Sequence, residues 1–222
     1  VPSYNVNDQP ISDAATLVRP ANLRGLAPDH TLMLVNGKRR HRASVITWLG
    51  NGISNGSQGP DAAAIPALAL KRIEVLRDGA SAQYGSDAIA GVMNFVLNDA
   101  REGGSVEVRY GEYKEGDGEQ VTISGNIGLP LGDSGFLNLS AEWGESDPTS
   151  RSAQRADAQG LIDDGYQGVP VPAMIWGRPI VNDDMKLWAN FGFDLSDTLE
   201  LYGHANYNSK EVDGGFFFRN PT

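Results

Sequence analysis

The sequence predicts an α+β domain followed by an antiparallel sheet of five strands, and three observations carry that expectation. The charge balance shifts along the chain, the first half mixes short elements, and the second half alternates apolar and polar residues with a period of two. Residues 1–104 hold 10 Lys+Arg against 9 Asp+Glu, whereas residues 105–222 hold 8 against 19. Grammar and charge both change at Gly103-Gly104, which divides the chain into domains of 1–104 and 105–222.

In the first domain, Thr31 to Val35 is a compact apolar run closed by Asn36-Gly37, a strand entering a tight turn. Pro66 opens the segment Ile65 to Leu70, where a first helical turn tolerates proline. Arg72 to Arg77 alternates and reads as a strand. Ala88 to Leu97 reads as another, with Gly91 allowing close backbone approach. Asp78-Gly79 and Tyr84-Gly85-Ser86 between them are turns.

The second domain reads as strand throughout. The alternating segments are Ser105–Tyr113, Gln120–Leu129, Phe136–Trp143, Leu187–Leu195 and Leu199–Asn208. Each is close to the roughly ten residues that cross a bilayer as a tilted strand. A soluble antiparallel sandwich alternates in the same way, so periodicity leaves both architectures open. Three features favour the membrane barrel. The apolar faces are unbroken while the opposite faces carry charges and glycines, and Tyr110, Trp143 and Tyr207 sit near strand ends. Short connections at Pro130–Gly135 and Ser196-Asp197 also contrast with a long polar one at about 144–186, although the connection at Glu115–Gly118 is brief.

Composition removes several functions. A formal net charge of −10 disfavours nucleic-acid binding, and the absence of cysteine removes disulfides, thiol catalysis and Cys-ligated zinc. No run reaches the ~18 apolar residues of a transmembrane helix. Val1 is not an initiator methionine, and the chain reads as a piece of a longer one.

The segment Asn22 to Lys38 (NLRGLAPDHTLMLVNGK) resembles the plug domain of TonB-dependent outer-membrane receptors, in which an "RG" strand precedes a "tLvLvdG" strand. Ile65 to Leu97 (IPALALKRIEVLRDGASAQYGSDAIAGVMNFVL) is similar to the most diagnostic segment of that plug over its full spacing. The resemblance implies a plug in residues 1–104, truncated at its N-terminus, and the first five strands of an incomplete 22-stranded transmembrane β-barrel in 105–222. It also implies a signal peptide and an energy-coupling box before Val1, and about seventeen strands after Thr222. The implied location is the outer membrane of a Gram-negative bacterium. The implied function is energy-coupled uptake of a scarce nutrient, with siderophore-iron the family's default cargo. The implied partners are the TonB–ExbB–ExbD complex, outer-membrane lipid and a small-molecule ligand.

In a plug, the connection after the "LVNG" strand points toward incoming substrate. Here it is Lys38–Ala64, with Arg39, Arg40, His41, Arg42, Trp48 and Gln58 as candidate ligand-binding residues. Cations, amides and an aromatic suit an anionic or sugar-like ligand, though the arginines could equally fasten the plug to an acidic barrel wall. For that fastening the expected plug residues are Arg24, Arg72, Glu74 and Arg77. Glu107, Glu142, Asp194 and Glu200 are their candidate partners on the lumen face. Ordinary solvation of these charges is the plain alternative.

No enzyme is expected. Asp163-Asp164 and Asp183-Asp184 lack a matching histidine, and solvated loop acids are a simpler reading than a calcium site. Ser81 is not in a nucleophile elbow, no nucleotide-binding loop is present, and no cofactor or metal is expected. Two other readings are a signalling receptor of the same family, needing a further domain before Val1, and a soluble β-rich carbohydrate-binding protein. The latter predicts a chain that stays monomeric in water.

Overall fold

The computed structural model describes residues 4–6, 18–47, 55–174 and 177–214; Trp48 and Trp176 lie outside the described residues. A first pair of short strands, β1 (Tyr4–Val6) and β2 (Ala21–Leu23), is antiparallel. Next to it lies a four-stranded mixed sheet of β3 (Thr31–Val35), β4 (Lys38–Arg39), β5 (Leu70–Leu76) and β6 (Gly91–Leu97), in the order β4-β3-β6-β5. Strands β3 and β6 are parallel, and the other pairs are antiparallel. Asn36 and Gly37 join β3 to β4 with φ of 48° and 74°, the pair of left-handed residues that a two-residue hairpin favours. The helical turn expected after Pro66 is a single 3-10 turn, Ala67–Ala69, because β5 begins at Leu70 and leaves no room for a second turn.

Gly91 opens β6 at φ 143°, a conformation L residues rarely adopt. A Cβ at this position would collide with the Leu76 carbonyl oxygen and lie 3.1 Å from Leu23 Cδ1. A four-residue helix, α1 (Ser81–Tyr84), and a 3-10 turn, Ser86–Ala88, fill the turns foreseen between β5 and β6.

The remainder is an antiparallel meander of β7 (Gly104–Gly111), β8 (Gln120–Leu131), β9 (Gly135–Ser146), β10 (Ile180–Ser196) and β11 (Leu199–Asp213), hydrogen-bonded in chain order. It is an open sheet, not closed into a barrel, with β7 and β11 at its edges. Strands β10 and β11 run to 17 and 15 residues, beyond the apolar alternation read from sequence. At about 3.3 Å per residue they exceed the ~30 Å of a bilayer's hydrocarbon even when tilted. The long connection between β9 and β10 contains a second helix, α2 (Ala156–Asp163). No described helix is long and apolar enough to cross a membrane, which says nothing about crossing by strands.

The two large sheets bury opposite kinds of side chain. In β3 and β6, apolar residues go inside: Met33, Val35, Met93, Phe95 and Leu97 share one cluster, and Leu32, Leu34 and Val92 another. In the five-stranded sheet, Ser124, Asn138, Ser140 and Asn190 are buried. On its other face Val106, Val108, Ile123, Ile127, Leu139, Leu187 and Leu201 are exposed, Val106 to 79%. A water-soluble sheet does the reverse.

Candidate functional site: the plug–wall interface and a basic cleft

The buried polar face of the long sheet rests on the small domain through neutral amides. Asn36, in the β3–β4 turn, donates from Nδ2 to Asn190 Oδ1 of β10 at 3.1 Å. Asn190 donates in turn to the Asn98 carbonyl at 3.0 Å, and Asn98 Nδ2 to Asn126 Oδ1 of β8 at 3.2 Å. Asn126 continues the chain to Asn138 at 2.6 Å and to Ser140 Oγ at 2.8 Å, both on β9. These positions sit on one face because the register pairs Asn126 with Ser140 and Asn138 with Asn190. Asn36 also accepts the Leu97 amide through Oδ1 at 2.8 Å, so one side chain fixes both the end of β6 and the wall.

Trp188 is the exception on this polar face. It is 3% exposed and belongs to the apolar cluster of the small domain, alongside Leu23, Met33, Ala69 and Phe95. Its Nε1–H donates to the Ala64 carbonyl at 2.9 Å, the partner a buried indole needs. His204 of β11 stacks beside it at 6.2 Å and 13° between planes, and the Arg40 guanidinium lies 5.2 Å above its ring. Truncating such a side chain costs about 3–5 kcal/mol.

The basic run following β3 forms one side of a cleft of about 210 Å³. Arg39, Arg40, His41, Arg42 and Gln58 all line it, together with Asp29, Thr31 and Asp87. Five of the six residues expected to bind ligand are thus brought together, and the sixth, Trp48, lies outside the described residues. The cations differ in how far they are committed. Arg39 pairs with Asp87 and donates to the Tyr84 carbonyl at 3.0 Å. Arg40 donates to Asn206 Oδ1 at 2.8 Å, and burial pushes its guanidinium down from the usual range, against the charge of Asp61. Burial, and then the charge of Arg40, hold the exposed His41 imidazole below its ordinary value. Arg42 is exposed. Gln58 shapes the floor: its backbone N–H donates to Asp29 Oδ1 at 3.0 Å and its Nε2 to the Ala43 carbonyl at 2.7 Å. The Thr31 hydroxyl is buried without a partner among the described residues.

Of the charged residues expected to join plug and barrel, Arg72, Glu74, Glu107 and Glu142 make their polar contacts within their own units. Arg72 and Glu74 pair with each other along β5 at 2.7 Å, and Glu74 also accepts Asn94 Nδ2 at 2.9 Å. Those two hydrogen bonds hold the Glu74 carboxyl below the usual range. Arg24 adopts φ 58° in the turn after β2, and Arg77 is exposed just past β5. On the wall, Glu107 pairs with Arg109 of the same strand. Glu142 accepts Lys186 Nζ of β10 at 2.6 Å and Ser124 Oγ of β8 at 3.0 Å. Asp194 and Glu200 face each other across the exposed β10–β11 turn. The interface residues that sequence reading passed over are therefore amides and one indole. Their signal was present as Asn at alternate positions of the polar faces, and as a lone Trp among them.

No group of three or more His, Cys, Asp or Glu among the described residues could hold a metal. The described residues present a polar bearing surface and a basic cleft.

Comparison with known proteins agrees with this geometry. Residues 1–92 match the family described as TonB-dependent Receptor Plug Domain. Over 214 residues the chain is 29% identical to the ferrienterobactin receptor of Escherichia coli strain K12, covering 90% of this chain and 26% of that protein. It is 30% identical over 189 residues to the vitamin B12 transporter BtuB of Photobacterium profundum, covering 85% of this chain and 28% of that protein. The chain thus spans about a quarter of the length of these relatives. The crystal structure of a ferric enterobactin receptor variant of Pseudomonas aeruginosa (PfeA), in complex with enterobactin, shares the fold with a TM-score of 0.64 at 21% identity. That match covers 95% of this chain and 30% of that one. This chain carries a TonB-dependent receptor plug domain, homologous to those of siderophore and vitamin B12 receptors.

Proposed function

We propose that the chain is the plug (residues 1–104) and the first five strands (105–222) of an outer-membrane receptor that imports a scarce solute such as siderophore-iron. The observation that carries the reading is the inverted second sheet, whose amides are buried on the plug and whose Val, Ile and Leu are exposed. Lipid is the solvent that suits such an outer face. In this reading the wall is the start of a 22-stranded barrel. The basic cleft receives an anionic cargo, and the TonB–ExbB–ExbD complex supplies traction from the periplasmic side. The relatives' names support iron–siderophore or cobalamin cargo.

Transport then needs two properties of the residues described. The plug must fill the lumen at rest, which the apolar clusters and the amide contacts achieve. It must also yield without leaving polar groups unpaired, and amides released to water regain hydrogen bonds there at little net cost. The test is uptake of ferric enterobactin by cells carrying the full-length receptor. Uptake should require TonB and should weaken severalfold in Arg40→Ala and Arg42→Ala. Recovery of the receptor in the soluble fraction, or uptake indifferent to TonB, would sink the reading.

A further inference from the structure

We infer that the long connection between β9 and β10 is a fixed rim of the receptor's mouth, and that Arg151 is the positioning residue that holds it to the connection between β7 and β8. The inference rests on the plug-in-barrel reading above, in which this end of the sheet faces outward. A connection longer than about 15 residues is commonly a lid or a loose linker. This one is braced instead, to its neighbour and to itself.

The two connections lie side by side because their four strands are consecutive in the meander. Arg151 reaches across from the longer to the shorter. Its guanidinium grips both carboxylate oxygens of Asp117, with Nη2 donating to Oδ1 at 2.8 Å, and Nη2 also reaches Glu115 Oε2 at 3.3 Å. The Ser150 N–H donates to Asp117 as well, at 3.4 Å. The Arg151 hydrogen bonds, foremost, hold the Asp117 carboxyl below the usual carboxylate range. The pair is exposed, so its hold comes from this two-pronged geometry and the contacts around it rather than from charge alone. One such contact is a matter of shape. Gly118 has φ 66°, and a Cβ there would collide with the Thr149 methyl and the Tyr113 ring.

The two legs of the long connection are also pinned together where they leave the sheet. The Thr149 N–H donates to the Arg178 carbonyl at 3.2 Å, and the Arg178 N–H to Thr149 Oγ1 at 2.8 Å. The Arg178 guanidinium then donates to Gln120 Oε1 of β8 at 3.1 Å. Further out, Gln154 spans the lobe. Its Oε1 accepts the Ala173 N–H at 2.8 Å, and its Nε2 donates to the Pro170 carbonyl at 3.3 Å. Inside the lobe Ala158 of α2, Ala173 and Met174 are buried. Every bond named is made between adjacent strands and their own connections. A lobe braced in this way meets its ligand preformed, so capture costs little ordering entropy.

The test replaces the ion pair with a link that can be made at will. In cells carrying the full-length receptor, Asp117→Cys and Arg151→Cys are combined and treated with a short bis-methanethiosulfonate, the parent receptor treated alike serving as control. Without the reagent, the thiol pair should raise the ferric enterobactin concentration for half-maximal uptake severalfold, at an unchanged maximal rate. Cross-linking should return that concentration to the parent value. Arg151→Lys, which keeps the charge but not the two-pronged grip, should fall between the two. Uptake lost on cross-linking would show that the connection has to move and would overturn the inference. Thiols that fail to cross-link, or that leave the half-maximal concentration unmoved, would overturn it too. If the thiol pair does not reach the membrane, Arg151→Ala decides in the same assay, and a half-maximal concentration equal to the parent's overturns the inference. A parent receptor without TonB-dependent uptake, or one that does not fractionate with the outer membrane, would instead overturn the plug-in-barrel reading.

Discussion

The plug sheet and the wall sheet follow opposite burial rules within one chain. In β6 the pattern is apolar inward, with Val92, Met93, Phe95 and Leu97 all buried. In β8 and β9 Ser124, Asn138 and Ser140 are buried while Ile123, Ile127 and Leu139 lie open. Hydrophobicity alone does not say which face of a strand is inside; the solvent outside decides that. Alternation is a statement about two environments, and only the neighbour on the polar side shows which environment is which.

The largest test of this contrast is a charge on the open face. Ile127→Lys should cost about 2–4 kcal/mol if the face meets hydrocarbon, against less than about 0.5 kcal/mol for an ordinary exposed position in water. Urea titration of the full receptor in bilayers measures it, and a neutral outcome would break the comparison. Gly91→Ala probes the plug side, where strain at φ 143° and a collision with the Leu76 carbonyl should cost about 2–3 kcal/mol. Loss of plug packing, read as amide exchange in β5 and β6 with the wall strands unchanged, is the expected signature. Asn190→Ala sits between the two sheets and leaves Asn36 Nδ2 and the Asn98 carbonyl without their partner, a cost of about 1–2 kcal/mol. Its effect should fall on the plug and spare the strand meander.

The smallest expected effect concerns pH. His41 carries a depressed imidazole value in the folded chain, caused by burial and then by the Arg40 charge, so its charged form appears only below the ordinary imidazole range. Affinity of the cleft for an anionic cargo should therefore rise severalfold as pH falls through that depressed value. His41→Gln should flatten the profile, and a binding curve identical in the two proteins would remove His41 from the site.

Much of this was legible in the chain. Asn36-Gly37 announced the hairpin, and the period of two announced all five wall strands because each strand meets two contrasting environments. The basic run was legible as a cluster because its residues are consecutive, and Gln58 joins it through its bond to the Ala43 carbonyl just beyond the run. What was not legible was pairing. Arg72 and Glu74 are two apart on one strand and satisfy each other locally, so their charge revealed nothing about a distant wall. Asn190 and Trp188 looked like routine polar-face residues, since the plug that gives them meaning lies more than ninety residues earlier in the chain.

The amide contacts between Asn36, Asn190, Asn98 and Asn126 carry no formal charge. An interface of ion pairs would slacken in brine, because mobile ions screen them within about 10 Å at 0.1 M. A receptor at the cell's outer boundary meets whatever salinity its habitat supplies, and no cytoplasm buffers it. Neutral amides make this set of contacts between the two sheets nearly indifferent to salt.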